Sequence, residues 1–316
     1  MENLIKIVDN FKGKKIGVIG DLMLDHFIWG DVERISPEAP VPVVLVAKES
    51  FVPGGAGNTA ANISALGGEA FIVGLIGKDS AGKSLLEEFE KRGIITEGII
   101  EYSQKPTTQK IRVVARGQQV VRIDKEDIQY INSDVEKKLL EFITLHIKEW
   151  DGIVISDYAK GLITKNLAEA IIDLAAKDEK PIIGDVKPKH ALFFKNVTLL
   201  SPNNKEAIAI AGVNDIEEAG KIIQKQLNCS VLLTQGSEGV TLFENDKIKH
   251  FSSLAKEVFD VSGAGDTVVA AASLSLAAGA SLEETTIIAN HAAGIAVSKL
   301  GTATVTTEEL KQYLKN

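Results

Sequence analysis

The sequence predicts an α/β fold with a mostly parallel central sheet, and two observations carry this prediction. Short apolar runs recur along the chain and end in a polar residue or glycine, as in "KIGVIGD", "GIVISD" and "PIIGD". Helix-like segments such as "TKNLAEAIIDLAAK" and "DIEEAGKIIQKQL" lie between these runs. Runs that are apolar throughout are typical of strands buried on both faces, and their alternation with helices indicates a parallel sheet covered on both sides. Ligands bind beyond the carboxyl ends of such strands, so the polar residues there are the first candidates for chemistry.

Two segments interrupt this alternation and predict a small second sheet. Gly30–Phe51 contains several prolines and no helical period, which suits edge strands. Thr107–Asp127 is rich in valine, isoleucine and arginine around a glycine turn, which predicts a hairpin. Together they predict a small β-layer, called the lid below, formed by about residues 30–53 and 104–127. Such a layer can cover a site and exclude water. We expect residues 1–316 to form one domain that includes this lid.

Composition excludes several classes of protein. The net charge of −8 argues against nucleic acid as the main ligand, because such partners need a basic surface. Cys229 is the only cysteine, so neither an internal disulfide nor a cysteine metal cluster can form, and a cytoplasmic location is the expected default. The polar start "MENLIKIVDNFKGKK" predicts no signal peptide. The apolar stretch Val268–Leu282 is too short for a membrane span and predicts a buried helix.

Three glycine-rich loops compete as the phosphate site. "GKDSAGKS" (Gly77–Ser84) matches the P-loop pattern, in which Lys83 and Ser84 hold phosphates and Mg²⁺. The alternative is a strand-to-helix turn with Asp79 near the helix start. "PGGAGNTAAN" matches the dinucleotide fingerprint only weakly, because a proline and an edge strand precede it. It fits better a turn that opens a helix, either with Asn58 free to bind a ligand or with no ligand.

The third loop, "DVSGAGDTVV", combines an anion site with a carboxylate. A turn of small residues leads directly into a long helix, and the unpaired backbone N–H groups at a helix start attract anions. Asp266 lies in the first helical turn, where a carboxylate can simply cap the helix. A bound phosphate would repel it, but a carboxylate there makes sense if it removes a proton from a hydroxyl that attacks phosphorus. We therefore interpret Asp266 as a general base beside an anion hole.

Four motifs resemble those of the ribokinase-like (phosphofructokinase B) family of carbohydrate kinases. "DVSGAGDTVVAA" and "PGGAGNTAANISALGG" resemble the two family signatures, "SPNNKE" resembles its N-x-x-E element, and "TQGSEG" resembles its nucleotide loop. The resemblance implies a three-layer sandwich with a β lid, and the use of ATP and Mg²⁺. The family writes the segment around Gly77 as G-x-D-x-x-G-x-x-L, which makes Lys83 and Ser84 incidental.

A narrower resemblance is to bacterial D-glycero-β-D-manno-heptose 7-phosphate kinases, which make the 1,7-bisphosphate for ADP-heptose and lipopolysaccharide cores. It rests on "GDLMLDHFIWGDVERISPEAPVPVV", "ISDYAKG", the "IRVVARGQQVVRID" hairpin and "KLGTATV". It implies phosphorylation of the anomeric hydroxyl of heptose 7-phosphate. Another sugar or sugar-phosphate kinase of the same family is the alternative within the class.

The family resemblance implies roles for individual residues in catalysis and nucleotide binding. Asp266 matches the catalytic base, and Gly263, Ala264 and Gly265 match the anion hole. Asn203 and Glu206 match the pair that organises Mg²⁺ through water, which this ion tolerates because it sheds its waters reluctantly. The positions that match the nucleotide site are Asn203, Thr234, Gly236, Gly239 and Asn290, the last of which has a helix-surface residue as its alternative. Asp260 and Ser262, with the "LGT" at 300–302, resemble loops that hold K⁺ in ribokinase relatives.

The sugar site is implied in the same way. The positions that match the acceptor site are Asp21, Gly54, Gly55 and Asn58, with Asp25 as a weaker neighbour. The remote phosphate of the sugar needs cations, and arginine can grip phosphate with two hydrogen bonds. The candidates are Lys110, Arg112 and Arg122 on the lid, and Lys160 and Lys187 at strand ends. The alternative for each lid cation is a solvated strand face.

The sequence leaves two alternative functions to be tested, and it also predicts a homodimer. A P-loop NTPase would need Gly77–Ser84 as its nucleotide site. A sugar sensor on the same fold needs no base, so the presence of Asp266 argues against it. Pairing of exposed lid edges with a second copy would bury them, which predicts a homodimer through the lid. A monomeric mass at micromolar concentration would contradict that dimer.

Overall fold

The computed structural model describes residues 2–255, 257–299 and 301–315, which form two β-sheets and the helices around them. In chain order the strands are β1 (Lys15–Gly20), β2 (Leu22–Ile35), β3 (Pro42–Gly55), β4 (Glu69–Ile76), β5 (Ile95–Glu101), β6 (Thr108–Ala115), β7 (Gln118–Lys125), β8 (Gly152–Ser156), β9 (Ile182–Asp185), β10 (Leu199–Leu200), β11 (Ser230–Thr234), β12 (Val240–Glu244) and β13 (Lys247–Phe251). The α-helices are α1 (Glu2–Asp9), α2 (Ala56–Ala65), α3 (Ser80–Lys91), α4 (Ser133–His146), α5 (Lys165–Lys177), α6 (Asn204–Ala211), α7 (Ile216–Leu227), α8 (Ala264–Ala277), α9 (Leu282–Ala296) and α10 (Thr307–Leu314).

The larger sheet has nine strands in the order β13-β12-β11-β10-β9-β8-β1-β4-β5. Neighbouring strands from β5 to β11 pair in parallel, whereas β12 and β13 add an antiparallel hairpin at one edge. The carboxyl ends of β1, β8, β9, β10 and β11 therefore meet on one side of the sheet. This arrangement confirms the predicted mostly parallel central sheet.

Helices bury both faces of this sheet, which makes three layers. Ile16 and Val18 of β1 pack in one core with α1, α2, α3, α8, α9 and α10. Ile19 of the same strand packs in a second core with α4, α5 and α7. Because successive side chains of a strand point to opposite faces, a strand buried on both sides must be apolar throughout. This requirement explains the uninterrupted apolar runs in the sequence.

The predicted buried helix after the third glycine loop is α8. Every residue over 266–275 is buried, and the helix packs between α2, α9 and the sheet. Its small side chains allow this close approach from several sides. Among the described residues, no helix is long and apolar enough to cross a membrane.

The smaller sheet is the lid, with four strands in the order β3-β2-β6-β7. β2 starts at Leu22, so the chain passes from the central sheet into the lid through Asp21 alone. The prediction began the lid at about residue 30, because it rested on prolines that lie only farther along. Pro42 and Pro53 lie on β3, an edge strand of the lid, as their missing N–H groups require.

The hairpin predicted within Thr107–Asp127 is present as β6 and β7. Its two turn residues, Arg116 and Gly117, have φ of 49° and 76°. A two-residue turn with positive φ at both positions matches the right-handed twist of the strands it joins. β6 also pairs in parallel with β2, which ties the two lid hairpins into one sheet.

Candidate active site

The N-terminus of α8 is open to a ligand. Gly263 precedes the helix with φ of 80°, a conformation that favours glycine. No side chain among the described residues caps this helix, whereas Asp79, Asn203 and Ser281 cap α3, α6 and α9. The first backbone N–H groups of a helix have no partner within it and carry partial positive charge. The turn of Gly263, Ala264 and Gly265 can therefore stabilise an anion.

Asp266 is held beside this turn by three donors. Its Oδ2 accepts a hydrogen bond from Asn58 Nδ2 at 2.7 Å. Its Oδ1 accepts from Thr59 Oγ1 at 3.1 Å and from the Tyr158 hydroxyl at 2.9 Å. Burial raises the pKa of Asp266, and the hydrogen bonds from Asn58, Tyr158 and Thr59 partly oppose this rise. The result is a fixed, buried carboxylate of raised basicity next to an anion site, which is the arrangement that a general base needs.

A cleft of 630 Å³ opens beside the start of α8. It contains the carboxyl ends of several parallel strands, where ligands of open α/β sheets bind. All positions predicted for the nucleotide lie in it, together with the anion hole and the base. These lining residues are Asn203, Thr234, Gly236, Gly239, Asn290, Gly263, Ala264, Gly265 and Asp266.

Several of these residues also shape the walls of the cleft. Gly239 has φ of 105°, and a Cβ there would lie 2.1 Å from the carbonyl oxygen of Phe251. Asn290 is buried and donates from Nδ2 to the carbonyl oxygen of Ser252 at 2.9 Å. It therefore lies inside the cleft and not on an outer helix surface.

Carboxylates dominate the floor of the cleft. Asp185, Glu206 and Asp266 all line it. Burial, followed by the negative charge of Asp266, raises the pKa of Asp185 to about 8. Among the described residues no group of three or more histidine, cysteine, aspartate or glutamate side chains could chelate a metal. Carboxylate oxygens of this kind suit a divalent cation such as Mg²⁺, which binds one or two carboxylates and keeps several of its waters.

Asn203 and Glu206 form the capping box of α6. Asn203 Oδ1 accepts from the Glu206 N–H at 3.0 Å, and Glu206 Oε2 accepts from the Asn203 N–H at 3.1 Å. Glu206 Oε1 also accepts from Lys187 Nζ at 2.5 Å. Burial opposes the charge on Lys187, but the hydrogen bond and charge of Glu206 outweigh it and raise the pKa of the lysine. Lys187 therefore lies in the cleft beside the Mg²⁺ candidates, and not near the lid where its predicted phosphate would bind.

Asp21 binds the backbone of the loop after β8, a role that the sequence did not predict. It is 4% exposed, and its two oxygens accept the backbone N–H groups of Tyr158, Lys160 and Leu162 at 2.9–3.1 Å. Burial raises the pKa of Asp21 against the opposing effect of these backbone hydrogen bonds. The carboxylate predicted to bind sugar is thus engaged in holding the loop after β8.

Asp25, the weaker neighbour in the predicted acceptor site, lies on β2 of the lid. It forms an ion pair with Arg112, and its charge contributes to the raised pKa of Asp266 after burial. A Cβ at Gly54 would lie 2.7 Å from Asp25 Oδ2, so a larger residue there would displace the Asp25 carboxylate. Gly55 has φ of 57° and directly precedes α2, which carries Asn58. Gly54 and Gly55, two of the residues predicted for the acceptor site, thus lie at the end of β3, and Asn58 follows on α2.

The lid cations lie on one face, and each has a carboxylate partner. Strand pairing aligns Asp25, Lys110 and Asp124 across β2, β6 and β7, and it aligns Arg112 with Arg122. Lys110 Nζ is 3.3 Å from Asp124 Oδ2, and Arg122 Nε is 2.9 Å from Asp124 Oδ1. The structure thus brings these three cations together on the face that carries Asp25.

Lys160 and the K⁺ candidates lie outside the lid strands. Lys160 Nζ pairs at 2.7 Å with Glu126, which directly follows β7 of the lid. Asp260 accepts the N–H groups of Ser262 and Gly301 at 2.8 and 3.1 Å, which joins the two segments of the predicted K⁺ loop. These hydrogen bonds outweigh burial and lower the pKa of Asp260. Leu300, also part of that prediction, lies outside the described residues.

Tyr158 and Thr59 are the site residues that sequence reasoning missed. Tyr158 follows β8 directly after Asp157, at the strand end where polar residues were expected. Thr59 sits in the glycine-opened helix one residue after Asn58. The position of Tyr158 beyond a buried strand was the available signal, and the preceding Asp157 shares it.

The P-loop-like segment has a different role in the structure. Asp79 caps α3 by accepting the N–H of Gly82 at 2.9 Å, and Lys83 is exposed. Asp79 also accepts the Thr107 N–H at 3.0 Å and the Thr107 hydroxyl at 2.7 Å, just before β6 of the lid. The helix start that a P-loop would offer to phosphate is thus filled by a carboxylate that anchors the lid.

Asp79→Ala is expected to lower the free energy of unfolding by about 1–2 kcal/mol at pH 7, because an N-cap and two further hydrogen bonds are lost. Burial opposes ionisation of Asp79, but hydrogen bonds from Thr107 and Gly82 outweigh it and lower its pKa from the usual 3.8. A carboxylate of lowered pKa stabilises the fold above its unfolded value and loses that contribution as the pH falls through the folded value. The difference in the free energy of unfolding between variant and wild type should therefore shrink below about pH 3.8, as measured by denaturant titration.

Lys83→Ala on the same helix is the control, with an expected change within about 0.5 kcal/mol. A loss of nucleotide binding in Lys83→Ala, with none of the stability change in Asp79→Ala, would restore the P-loop interpretation.

The uncapped start of α8 and the buried carboxylate beside it, at the carboxyl edge of a parallel sheet, fit an enzyme that transfers phosphoryl groups. The model described as "pfkB family carbohydrate kinase" matches residues 14–309, and the chain belongs to that family. The protein is a carbohydrate kinase, which confirms the family resemblance found in the sequence.

Curated relatives match over nearly the whole chain. "Bifunctional protein HldE" of Helicobacter pylori is 40% identical over 307 residues, which cover 95% of this chain and 66% of that protein. The protein of the same name from Geobacter sulfurreducens is 41% identical over 300 residues, which cover 93% of this chain and 61% of that protein. The chain therefore spans less than two thirds of the length of these relatives.

Solved structures share the fold. Arabidopsis thaliana ribokinase complexed with ribose and ATP superposes with a TM-score of 0.74 at 21% identity, covering 96% of this chain and 99% of that one. Phosphofructokinase-2 from Escherichia coli in complex with potassium gives a TM-score of 0.79 at 22% identity, with the same coverage. The ribokinase-like three-layer architecture predicted from the motifs is confirmed.

Proposed function

We propose that the chain is an ATP-dependent kinase that phosphorylates the anomeric hydroxyl of D-glycero-D-manno-heptose 7-phosphate. Its product would be the 1,7-bisphosphate used to make ADP-heptose for lipopolysaccharide cores. The observation that carries the chemistry is Asp266, buried beside the uncapped start of α8. The heptose assignment is supported by the HldE relatives and by the cations of the lid.

The proposed reaction is an in-line phosphoryl transfer. Asp266 takes the proton of the anomeric hydroxyl while the oxygen of that hydroxyl attacks the γ-phosphorus of ATP, and ADP leaves. The backbone N–H groups at Gly263–Gly265 stabilise the charge on the transferring group. Phosphoryl transfer depends mostly on positioning and on charge stabilisation, so these fixed donors carry much of the effect.

The cleft beside α8 is the proposed ATP site. Asn203 and Glu206 would hold Mg²⁺ through water, and the ion would neutralise charge on the phosphates. Lys187 is reassigned to this site, because its ammonium lies against Glu206 and faces the cleft. A K⁺ ion at Asp260 and Ser262 stays a prediction.

The lid is the proposed site of the remote phosphate. Asp25 would accept hydrogen bonds from sugar hydroxyls in place of Asp21, which is occupied by backbone donors. Lys110, Arg112 and Arg122 would exchange their carboxylate partners for the phosphate. Arginine suits this exchange because its planar guanidinium matches phosphate with paired hydrogen bonds.

Turnover with a panel of acceptors tests this function. With ATP and Mg²⁺, heptose 7-phosphate is expected to exceed unphosphorylated heptose, ribose and adenosine by at least about 10²-fold in kcat/KM, since those acceptors offer no phosphate to the lid cations. Fructose 6-phosphate, which also carries a phosphate, is the stringent comparison. Turnover of another sugar with none of heptose 7-phosphate would move the assignment to that sugar.

The partner we propose is a second copy of the chain, joined through the lid. Leu45, Val46, Val121 and Ile123 are large apolar lid residues with 45–68% of their surface exposed. Burying such residues against an identical lid would remove apolar surface from water and cover the strand edges. The mass in solution is the measurement that decides this.

A further inference from the structure

Tyr158 occupies a fixed position between the base and the acidic floor of the cleft. Its hydroxyl donates to Asp266 Oδ1 at 2.9 Å. Its backbone N–H donates to Asp21 Oδ2 at 2.9 Å, and the Lys187 ammonium lies 5.0 Å from the centre of its ring. Different partners thus contact the main chain, the ring and the hydroxyl of Tyr158. These contacts fix the position of the hydroxyl relative to Asp266.

The hydrogen bonds distinguish the two oxygens of Asp266. Oδ1 accepts two hydrogen bonds, from Thr59 and Tyr158, whereas Oδ2 accepts one, from Asn58. A carboxylate oxygen has two lone pairs, so Oδ1 is saturated and Oδ2 keeps one site. The incoming sugar hydroxyl can therefore bind only at Oδ2 without displacing a donor.

From this geometry we propose that Tyr158 is a positioning residue for the proposed kinase reaction, which saturates Asp266 Oδ1 and directs proton transfer to Oδ2. The inference rests on the function proposed above. The proton of the sugar hydroxyl moves to Oδ2 as the sugar oxygen bonds to phosphorus, while the phenol keeps its own proton. Burial and the negative charge of Asp266 raise the pKa of Tyr158 well above 10, so the phenol remains a donor throughout catalysis.

The hydrogen bond from Tyr158 also lowers the pKa of Asp266, which burial and neighbouring negative charge raise. The charged groups that face the Asp266–Tyr158 pair are Asp25 on β2, Asp185 at the end of β9, Glu206 on α6 and Lys187. The carboxylates disfavour the ionised form of Asp266, whereas each donor favours it. Loss of the phenol should therefore make Asp266 protonate at higher pH and leave Oδ1 free to compete for the sugar hydroxyl.

Tyr158→Phe, which keeps the ring, tests the proposal. The acid limb of the kcat/KM profile is expected to move up by about one pH unit, so that below the wild-type limb the variant loses about tenfold more activity than on the plateau. A purely structural role would lower activity equally at all pH values. Thr59→Val removes the other donor to Oδ1 and should move the limb in the same direction.

Tyr130→Phe is the matched control. The Tyr130 hydroxyl hydrogen-bonds His190 Nε2 at 2.6 Å and makes no contact with Asp266. Its acid limb should stay at the wild-type position. An unmoved limb in both Tyr158→Phe and Thr59→Val, with melting temperatures near wild type, would overturn the proposal.

The profile is measured with whichever acceptor wild type turns over best. Wild-type turnover of a sugar other than heptose 7-phosphate would refute the substrate assignment and leave the Tyr158 test intact. An unmoved limb in an active heptose kinase would refute the role of Tyr158 alone.

Discussion

Asp266→Asn is expected to lower kcat by about 10²–10⁴-fold, because the variant has no carboxylate to take the proton of the attacking hydroxyl. Asparagine has nearly the same shape, and the donors Asn58, Thr59 and Tyr158 remain around it. ATP affinity should stay within about twofold, since the cleft and the start of α8 are unchanged. The measurements are steady-state kinetics with the best acceptor and ATP binding by calorimetry.

Lys83→Ala is the control for this experiment, because the sequence also offered a P-loop. Lys83 is exposed on α3, so its activity should equal wild type. An inactive Lys83→Ala together with an active Asp266→Asn would show that the phosphate site lies at Gly77–Ser84. That pair of results would remove the base from the mechanism altogether.

Gly263→Ala is expected to lower kcat by about 10²–10³-fold, the range seen when one oxyanion donor is lost. Gly263 has φ of 80°, and a Cβ there would lie 2.6 Å from Asn58 Nδ2. Asn58 must then move away from Asp266 Oδ2, or the turn must change and take its N–H groups away from the phosphoryl group. Either movement misplaces groups that act only when correctly oriented.

Gly279→Ala separates strain from chemistry. Gly279 follows the other end of α8 with φ of 85°, and a Cβ added there would have no neighbour within 4 Å. Both substitutions place alanine in the left-handed backbone region, which costs about 1–2 kcal/mol of stability. Thermal melts should show this loss in both variants. Only Gly263→Ala should lose activity. Equal loss of activity in the two variants would mean that general destabilisation is the cause.

Much of the fold was predictable because its causes are local. A strand buried on both faces must be apolar, and β1, β8 and β9 show this directly in the sequence. The turn before α8 was predictable for a similar reason, since small residues and a following aspartate are all that this anion site contains.

The acceptor side was harder to predict because its assignments depend on distant partners. Asp21 and Asp25 both follow an apolar run in the same short stretch. Only the folded chain shows that the loop after β8 delivers three N–H groups to Asp21 and that β6 delivers Arg112 to Asp25. No local pattern encodes either approach. The same holds for Tyr158, whose significance depends on a carboxylate 108 residues away.

Because α8 is buried, the position of Asp266 depends on the stability of the core. Residues 266–275 are enclosed without interruption, and Asp266 begins this stretch. Local openings of low free energy occur where few apolar contacts must break, as at exposed loops and termini. Over residues 266–275 α8 has no such route, so moving Asp266 out of place requires this helix to leave the core. The position of Asp266 should consequently persist until the core itself unfolds.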